Sequence, residues 1–558
     1  MVLLFFLIAF LAVAARLFTL QVIYYREYSA LASKQHRLSL DRLSERGKIY
    51  AKDKNGYLIP LALNEKQEIL AVSPKDVKDP DALIDALTKN FAMDKDFLED
   101  KLSKKNDPHE ILVKNVAPET AEKIKALGIY GLFFEEEVDR VYPQKTTAAH
   151  LLGFANKEQE ELGGKYGLEK LYDEELRGEG WFIGKNTAGF LVALGRRIVN
   201  PAKTGANLFL TIDFNIQRKA EEVLNSTRNK WQAVSGDILI TEPKTGKILA
   251  LAGSPNYDPN LFSKEKDFSV FLNPVTESMY ELGSVLKPVT MAAGLEEGVV
   301  RPDSTYEDTG EIKIGGYRVN NFDGKSHGTQ TMTQVLEKSL NTGAVYVARL
   351  VGKENHRAYL KSFGFGQKTD IDLPGEVAGD VSNLTEMRDI DFATASFGQG
   401  IAVTPLQLAM AIGTVANNGV LMRPYVVERI VDGSGNEIKK EPQAVRPVIS
   451  KESAEALTKM LVSTVRSGFE NKAGVKGYFV AGKTGTAQIP RKDGRGYDPD
   501  KVIHTFVGYA PAFNPRFLVL LQLNEPQGNR FAANTLTPAF HDLAEYILNY
   551  YEIPPDEK

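Results

Sequence analysis

At 558 residues, 43% hydrophobic and 25% charged, the chain is long enough for two or more domains with proper cores, and wholesale disorder is excluded. The net charge is −4 and Lys and Arg are scattered, so nothing recommends nucleic acid as a partner. With no cysteine there can be no disulfide, zinc–thiolate site, iron–sulfur cluster or thiol catalysis; the seven histidines stand apart with no His-Glu-x-x-His spacing, so no metal site or cofactor is expected.

In chain order, Met1 to Ala15 is an unbroken apolar run, and Leu17 to Tyr25 largely continues it after Arg16. Together they reach about the ~20 residues that span a bilayer. Ala12-Val13-Ala14 is an A-x-A-like cleavage site, but the apolar character persists through Leu20, Val22 and Ile23, so residues 1–25 read as a retained anchor. The charges that follow (Arg16, Arg26, Lys34, Arg37, Arg42, Arg46) would by the positive-inside rule alone place the body in the cytoplasm. Orientation must therefore come from the chemistry of the body.

From 26 to 205 short strands and helices alternate. Arg46 to Tyr50 reads as a strand entering an Asn55-Gly56 turn, Asp81 to Phe91 and Pro118 to Leu127 as helices, and Glu135 to Pro143 as a charged strand or loop. No convergent catalytic set appears here, and a scaffold or interaction domain is expected. Near Lys203-Thr204-Gly205 the texture changes. A strand (Leu208 to Ile212), an amphipathic helix (Phe214 to Leu224) and two strands (Gly236 to Glu242, Lys247 to Ala252) joined by Pro243-Lys244-Thr245-Gly246 lead to a buried helix opened by Ser284. Further on, Gly477 to Ala481 reads as a strand into Lys483-Thr484-Gly485. Arg491 to Lys501 reads as a charged loop, Thr505 to Ala510 and Phe517 to Leu523 as strands, and Pro538 to Tyr550 as the closing helix. The pattern predicts a sheet with helices packed against it.

Three motifs carry chemistry. Ser284 and Lys287, three apart ahead of an apolar run, share one helix face roughly 5–6 Å apart at Cβ. The helix N-terminus favours an alkoxide and disfavours a protonated amine, which makes Ser284 a candidate nucleophile and Lys287 its base. Ser263/Lys266 has the same spacing but sits in a charged stretch. Ser339-Leu340-Asn341 offers a hydroxyl to pass a proton and an amide to hold Lys287 or a substrate backbone; Ser254-Pro255-Asn256 and Ser434-Gly435-Asn436 read as turns. Lys-Thr-Gly begins at Lys203, Lys244 and Lys483, and only the third ends an apolar strand and continues into Thr486. There Gly485 admits a close backbone, Lys483, Thr484 and Thr486 offer charge and hydroxyls to a carboxylate, and a peptide could add along the strand.

In this order the three motifs resemble the penicillin-recognising serine acyltransferases. Arg46-Gly47-Lys48-Ile49, His150-Leu151-Leu152-Gly153-Phe154, Leu210-Thr211-Ile212-Asp213 and Ser396-Phe397-Gly398-Gln399-Gly400 through Thr404-Pro405-Leu406-Gln407 extend the likeness to class B penicillin-binding proteins, the cell-division branch most of all. Leu282 stands where that branch usually has proline, an exchange expected to loosen the approach to Ser284 without removing a reacting group. The resemblance implies an α/β (α+β) fold: a transmembrane anchor (1–25), an elongated dimerisation or pedestal domain (26–205), and a transpeptidase domain (206–552) whose central antiparallel sheet is flanked by helices. It implies a membrane-anchored, extracytoplasmic D,D-transpeptidase acting on peptidoglycan stem peptides of lipid-linked precursor polymer and acylated by β-lactams. The backbone N–H groups of Ser284 and Thr486 would form its oxyanion hole, and a glycan polymerase would be its membrane partner. A D,D-carboxypeptidase, or a β-lactamase or β-lactam sensor, uses the same serine–lysine chemistry, though the latter would not need the long N-terminal domain. An elongation or sporulation transpeptidase is the alternative branch.

Overall fold

The computed structural model describes Phe10, Arg16 and residues 45–158, 161–178, 204–386, 388–468, 470–491 and 496–557. The rest of the expected anchor, the basic residues from Arg26 to Arg42, and Lys203 lie outside the described residues. Among the described residues, no helix is long and apolar enough to cross a membrane.

In the N-terminal part, strand Ile49–Lys52 enters a turn closed by the Gly56 N–H donating to Asp53 O at 3.0 Å, with Gly56 at φ +83°. The chain returns as Leu58–Val72, which pairs antiparallel with Leu132–Val141 and with Glu110–Val113. The Glu135–Pro143 stretch is thus mostly strand. Helices Pro80–Phe91, Lys95–Ser103 and Pro118–Ala126 bury Leu83, Leu87, Leu98 and Ile124 against Leu70 and Val72. Their starts follow local chemistry: the Asp79 and Asp94 side chains accept from the Ala82 and Phe97 N–H groups, and proline opens the first and third.

A buried ion cluster ties this part together. Glu169 is fully buried and accepts from Arg46 Nε and Arg140 Nε at 2.7 Å each. Arg46 also donates to Asp173 at 2.8 Å, and Arg140 to Gly47 O at 2.8 Å.

Strand Asn207–Asp213 pairs parallel with Ile49–Lys52 and antiparallel with Val427–Val431. One seven-stranded sheet therefore takes strands from both sides of residue 205. Beyond it lies a five-stranded, wholly antiparallel sheet. Its strands are β1 (Ser235–Glu242), β2 (Lys247–Ser254), β3 (Ala481–Pro490), β4 (Tyr497–Ala510) and β5 (Phe517–Asn524), in the order β3-β4-β5-β1-β2. Alternate side chains serve two cores, as a period of two requires. Leu518 and Leu520 join Val285, Val289 and Leu408; Phe517, Val519 and Leu521 join Phe540 and Leu543. The first core holds α2 (Lys287–Glu296), buried nearly all round. The second is covered by α1 (Phe214–Lys230) and α5 (Thr537–Tyr550). Between them in the chain come α3 (Asn341–Val351) and α4 (Lys451–Ser463).

Some expected boundaries move. Helix α1 runs past Leu224 to Lys230, since Thr227 is buried and its hydroxyl donates to Val223 O at 2.6 Å. Residues 477–480 are not strand: Gly477 is at φ +84°, and the backbone there bonds the C-terminal tail, Glu557 N–H to Gly477 O at 3.1 Å and Phe479 N–H to Asp556 at 2.9 Å. Strand β3 begins only at Ala481, so Lys483-Thr484-Gly485 lies near its start, not its end. Tyr497 to Lys501 belongs to β4, and 492–495 lie outside the described residues.

Removing Glu169 would leave two buried guanidinium groups facing each other. Glu169→Ala is expected to cost ~3–5 kcal/mol in denaturant unfolding; a loss below about 1 kcal/mol would show that the cluster does not hold this part of the fold.

Candidate active site

The chain reaches Ser284 under tight backbone control. Strand Tyr280–Glu281 pairs with Ala402–Val403, and the Gly283 N–H donates to Gly398 O at 2.8 Å. Gly398 is at φ +82°, and a Cβ there would lie 2.1 Å from Gly283 O, so this contact tolerates no side chain. Leu282 is fully buried at φ −74°, the backbone a proline would take, and the approach is held without one. Ser284 lies in a 3₁₀ turn (Gly283–Leu286) that continues into α2. The Thr404-Pro405-Leu406-Gln407 stretch is a helix start with both capping-box bonds formed.

The three motifs meet. Lys287 Nζ is 3.0 Å from Ser284 Oγ and 3.2 Å from Ser339 Oγ, and it donates to the Ser339 carbonyl as well. Lys483 Nζ lies 3.0 Å from the same Ser339 Oγ and donates to Thr484 O at 3.1 Å. The two lysines are each 1% exposed, whereas Ser284 and Ser339 are half-buried and reachable. Ser339 holds its place at φ +57°, a left-handed backbone that costs a non-glycine residue roughly 1–2 kcal/mol. Asn341 differs from one of its expected uses: its amide donates to Asn320 O at 2.8 Å, and the Ser339 carbonyl is what receives Lys287.

Strand β3 is an edge strand, paired on one side with β4. Its other side approaches the serine turn. A Cβ on Gly485 would lie 2.8 Å from Leu282 O and 2.9 Å from Val285 Cγ1, and one on Gly283 would lie 3.0 Å from Thr486 O. The backbones of Ser284 and Thr486 are thus neighbours. Thr484 is half-buried, while the Thr486 hydroxyl accepts from the Ala532 N–H at 3.3 Å. The competing motif copies sit elsewhere: Ser263 and Lys266 are exposed, and Lys244 is on the β1–β2 turn, bonded to Asn514 at 2.6 Å.

Burial, then the nearby charge of Lys483, holds Lys287 well below the ordinary lysine range. Burial brings Lys483 down to about 7. A neutral Lys287 can take the proton of Ser284, and a hydroxyl between two amines can pass one onward. Sequence reasoning missed two supports. It assigned Gly398 no role, and it placed Tyr497 in a loop, although Tyr497 OH donates to Glu281 at 2.9 Å beside the approach to Ser284. Neither has a local signal, because each acts on a residue over a hundred positions away.

The chain resembles known proteins along most of its length. The penicillin-binding protein transpeptidase domain matches residues 236–545, and the penicillin-binding protein dimerisation domain matches 41–208. Stage V sporulation protein D of Bacillus subtilis is 34% identical over 552 residues, covering 96% of this chain and 83% of that protein. Peptidoglycan D,D-transpeptidase FtsI of Escherichia coli is 31% identical over 509 residues, covering 89% and 83%. Among solved structures, penicillin-binding protein 3 of Mycobacterium tuberculosis, complexed with aztreonam, superposes with TM-score 0.72 at 26% identity, covering 92% of this chain and 98% of that one. Penicillin-binding protein 2X of Streptococcus thermophilus shares the fold, with TM-score 0.78 at 22% identity and coverage of 91% and 80%.

Gly485 separates β3 from the serine turn by backbone alone. Gly485→Ala is expected to push the strand outward and cost ~1–3 kcal/mol, read as a lowered Tm. An unchanged Tm with an unshifted strand in a crystal structure would contradict this contact.

Proposed function

We propose, on the premise that this chain belongs to the class B penicillin-binding proteins and is a serine-type peptidoglycan D,D-transpeptidase, that it works at the division septum, anchored by residues 1–25 with its body outside the membrane. The observation that carries the chemistry is the unbroken run Ser284–Lys287–Ser339–Lys483, with steps of 3.0, 3.2 and 3.0 Å. Lys287, neutral, takes the hydroxyl proton as Ser284 attacks the penultimate D-Ala carbonyl of a stem peptide. The backbone N–H groups of Ser284 and Thr486 stabilise the oxyanion, each such donor being worth ~3–4 kcal/mol in related acyl transfers. Ser339 passes the proton to the leaving terminal D-Ala amine. An amine of a neighbouring stem then attacks the ester carbonyl; its proton goes to neutral Lys287, which hands it to Ser284 Oγ as that oxygen leaves, so the cross-link forms and both groups end as they began. Lys483, Thr484, Gly485 and Thr486 bind the donor: the lysine supplies charge for the terminal carboxylate, the strand edge pairs with the peptide, and Asn341 holds its backbone. Penicillins enter the same site and stop at the acyl-enzyme. A glycan polymerase is the membrane partner, reached through the anchor and the N-terminal domain, and the substrate is its lipid-linked product.

A second reading, a sporulation transpeptidase, is favoured by the likeness to the Bacillus protein, the higher in identity of the two relatives named. Depletion of the protein separates them: a block in vegetative septation supports the first, and a defect confined to spore cortex supports the second. Within the family chemistry, a carboxypeptidase would release D-Ala without joining an acceptor. A cross-linking assay with D-Ala-D-Ala stem peptides and an acceptor amine tests this; D-Ala release with no cross-link at any acceptor concentration would overturn the transpeptidase role.

A fluorescent penicillin is expected to label the protein at Ser284 alone. Label that persists in Ser284→Ala, or that vanishes only in Ser263→Ala, would move the nucleophile elsewhere.

Lys287→Arg separates a base from a mere charge, because guanidinium cannot give up its proton at workable pH. Acylation is expected to fall by ~10²–10⁴ while the fold survives. In the parent, the lowered Lys287 value brings the rate to its plateau well below the ordinary lysine range, with loss as pH falls through that value. A rate still climbing near the ordinary lysine value of ~10.4 would contradict the base assignment.

A further inference from the structure

We propose that Asp308 is a positioning residue for the acyl transfer. Through Asn321 it sets the cap of the helix that begins at Asn341, and so holds Ser339 against Lys287. The inference rests on the reading of Ser284, Lys287 and Ser339 given above.

Asp308 closes strand Thr305–Asp308 and is fully buried. Its carboxylate accepts from Gly310 N–H at 3.0 Å, His327 N–H at 3.0 Å, the Thr342 hydroxyl at 2.7 Å, and the Asn321 amide at 2.9 and 3.1 Å. Burial alone would push its pKa up. The bonds from Thr342, Gly310, Asn321 and His327 outweigh that and hold it below the usual carboxylate range. Asp308 is therefore ionised and can only accept.

That polarity propagates. Asn321 has a donor end and an acceptor end, and an acceptor-only neighbour captures the donor end. Its Oδ1 is forced the other way, where it accepts from the Asn341 N–H at 3.0 Å and the Thr342 N–H at 3.3 Å. These are free N–H groups at the start of α3, whose own N-cap residue, Leu340, offers no side-chain bond. The cap comes instead from just beyond the hairpin of Glu311–Ile314 and Tyr317–Asn320, and Asn320 O next door holds the Asn341 amide. Ser339 sits one residue ahead of that N-cap in its left-handed backbone. A strained residue of this kind persists only where its surroundings over-determine it. Its hydroxyl and carbonyl are the acceptors that hold Lys287.

The test is the second-order acylation rate of the full chain with a penicillin, read beside Tm. Asp308→Asn sets one amide against another and removes the charged acceptor that orients Asn321, leaving only the longer bond from its amide to Lys325 O at 3.2 Å. Acylation is expected to fall by about 10- to 100-fold, the scale of a misplacement near 1 Å. Combining Asp308→Asn with Asn321→Asp reverses the polarity of the pair: a carboxylate then caps α3 directly and accepts from the amide at 308. That double variant is expected to recover most of the lost rate, which a merely structural role for Asp308 would not produce. If Asp308→Asn does not fold, Asn321→Ala reads the same step, removing the cap while Asp308 keeps its bonds to Gly310, His327 and Thr342, and the same fall is expected. A folded Asp308→Asn or Asn321→Ala protein within about threefold of the parent, well short of the expected fall, would overturn the inference. So would a double variant that folds but acylates no faster than Asp308→Asn. A parent that is not acylated at Ser284 would overturn the acyl-transfer reading itself, and is seen before any variant is compared.

Discussion

Everything in the catalytic half is arranged around one awkward demand: two amines buried on a single hydroxyl. Lys287 and Lys483 both reach Ser339 Oγ, and both are almost wholly out of water. Two ammonium ions so placed would each lose solvation and repel the other. The cost is relieved by giving up a proton. A lysine that sheds its proton easily is what a serine needs beside it, so the unfavourable burial and the useful chemistry have the same cause.

Holding that arrangement requires backbone to sit where side chains usually would. Strand β3 meets the serine turn at Gly485, the turn meets the Ser396–Gly400 segment at Gly398, and in both places an added Cβ would overlap main-chain atoms. Close approach keeps Ser284 and Thr486 on adjacent backbones and leaves one long edge of β3 facing the serine. The resulting site has two walls, one from the helices α2 and α3 and one from the sheet, and the Ser339 hydroxyl bonds a lysine from each. The conformation of Ser339 is accordingly a shared constraint on both walls.

Much of this was legible in the amino-acid order. Ser284 and Lys287 meet as their spacing indicated, and the helices at Pro80, Pro118 and Thr537 begin where proline or a capping aspartate stands nearby. Short-range rules carry that information, whereas the joining of Ser339 and Lys483 to the pair was implied by the family resemblance alone. What they could not carry was partnership at a distance. Residues 477–480 look like strand but bond the C-terminal tail through Gly477 O and the Phe479 N–H, and Tyr497 looks like loop but is drawn into β4. Asn341 was expected to have a choice of partners, and Asn320 takes one end of its amide. For 477–480 and Asn341 the deciding partner stands at a distance along the chain and its own type gives no hint of the pairing, whereas Tyr497 pairs with Pro490 across the hairpin.

The seven-stranded sheet that takes strands from both halves has a mechanical meaning. Domains joined by a flexible linker swing independently by default. Here Ile49–Lys52 and Asn207–Asp213 are hydrogen-bonded side by side, and Asp213 directly caps α1, which lies on the catalytic sheet. A torque applied to the N-terminal part cannot be absorbed by a hinge at that joint without tearing strands apart. It arrives at the catalytic sheet as a tilt of the whole body, so the N-terminal part is coupled to that sheet as a lever arm with a rigid elbow.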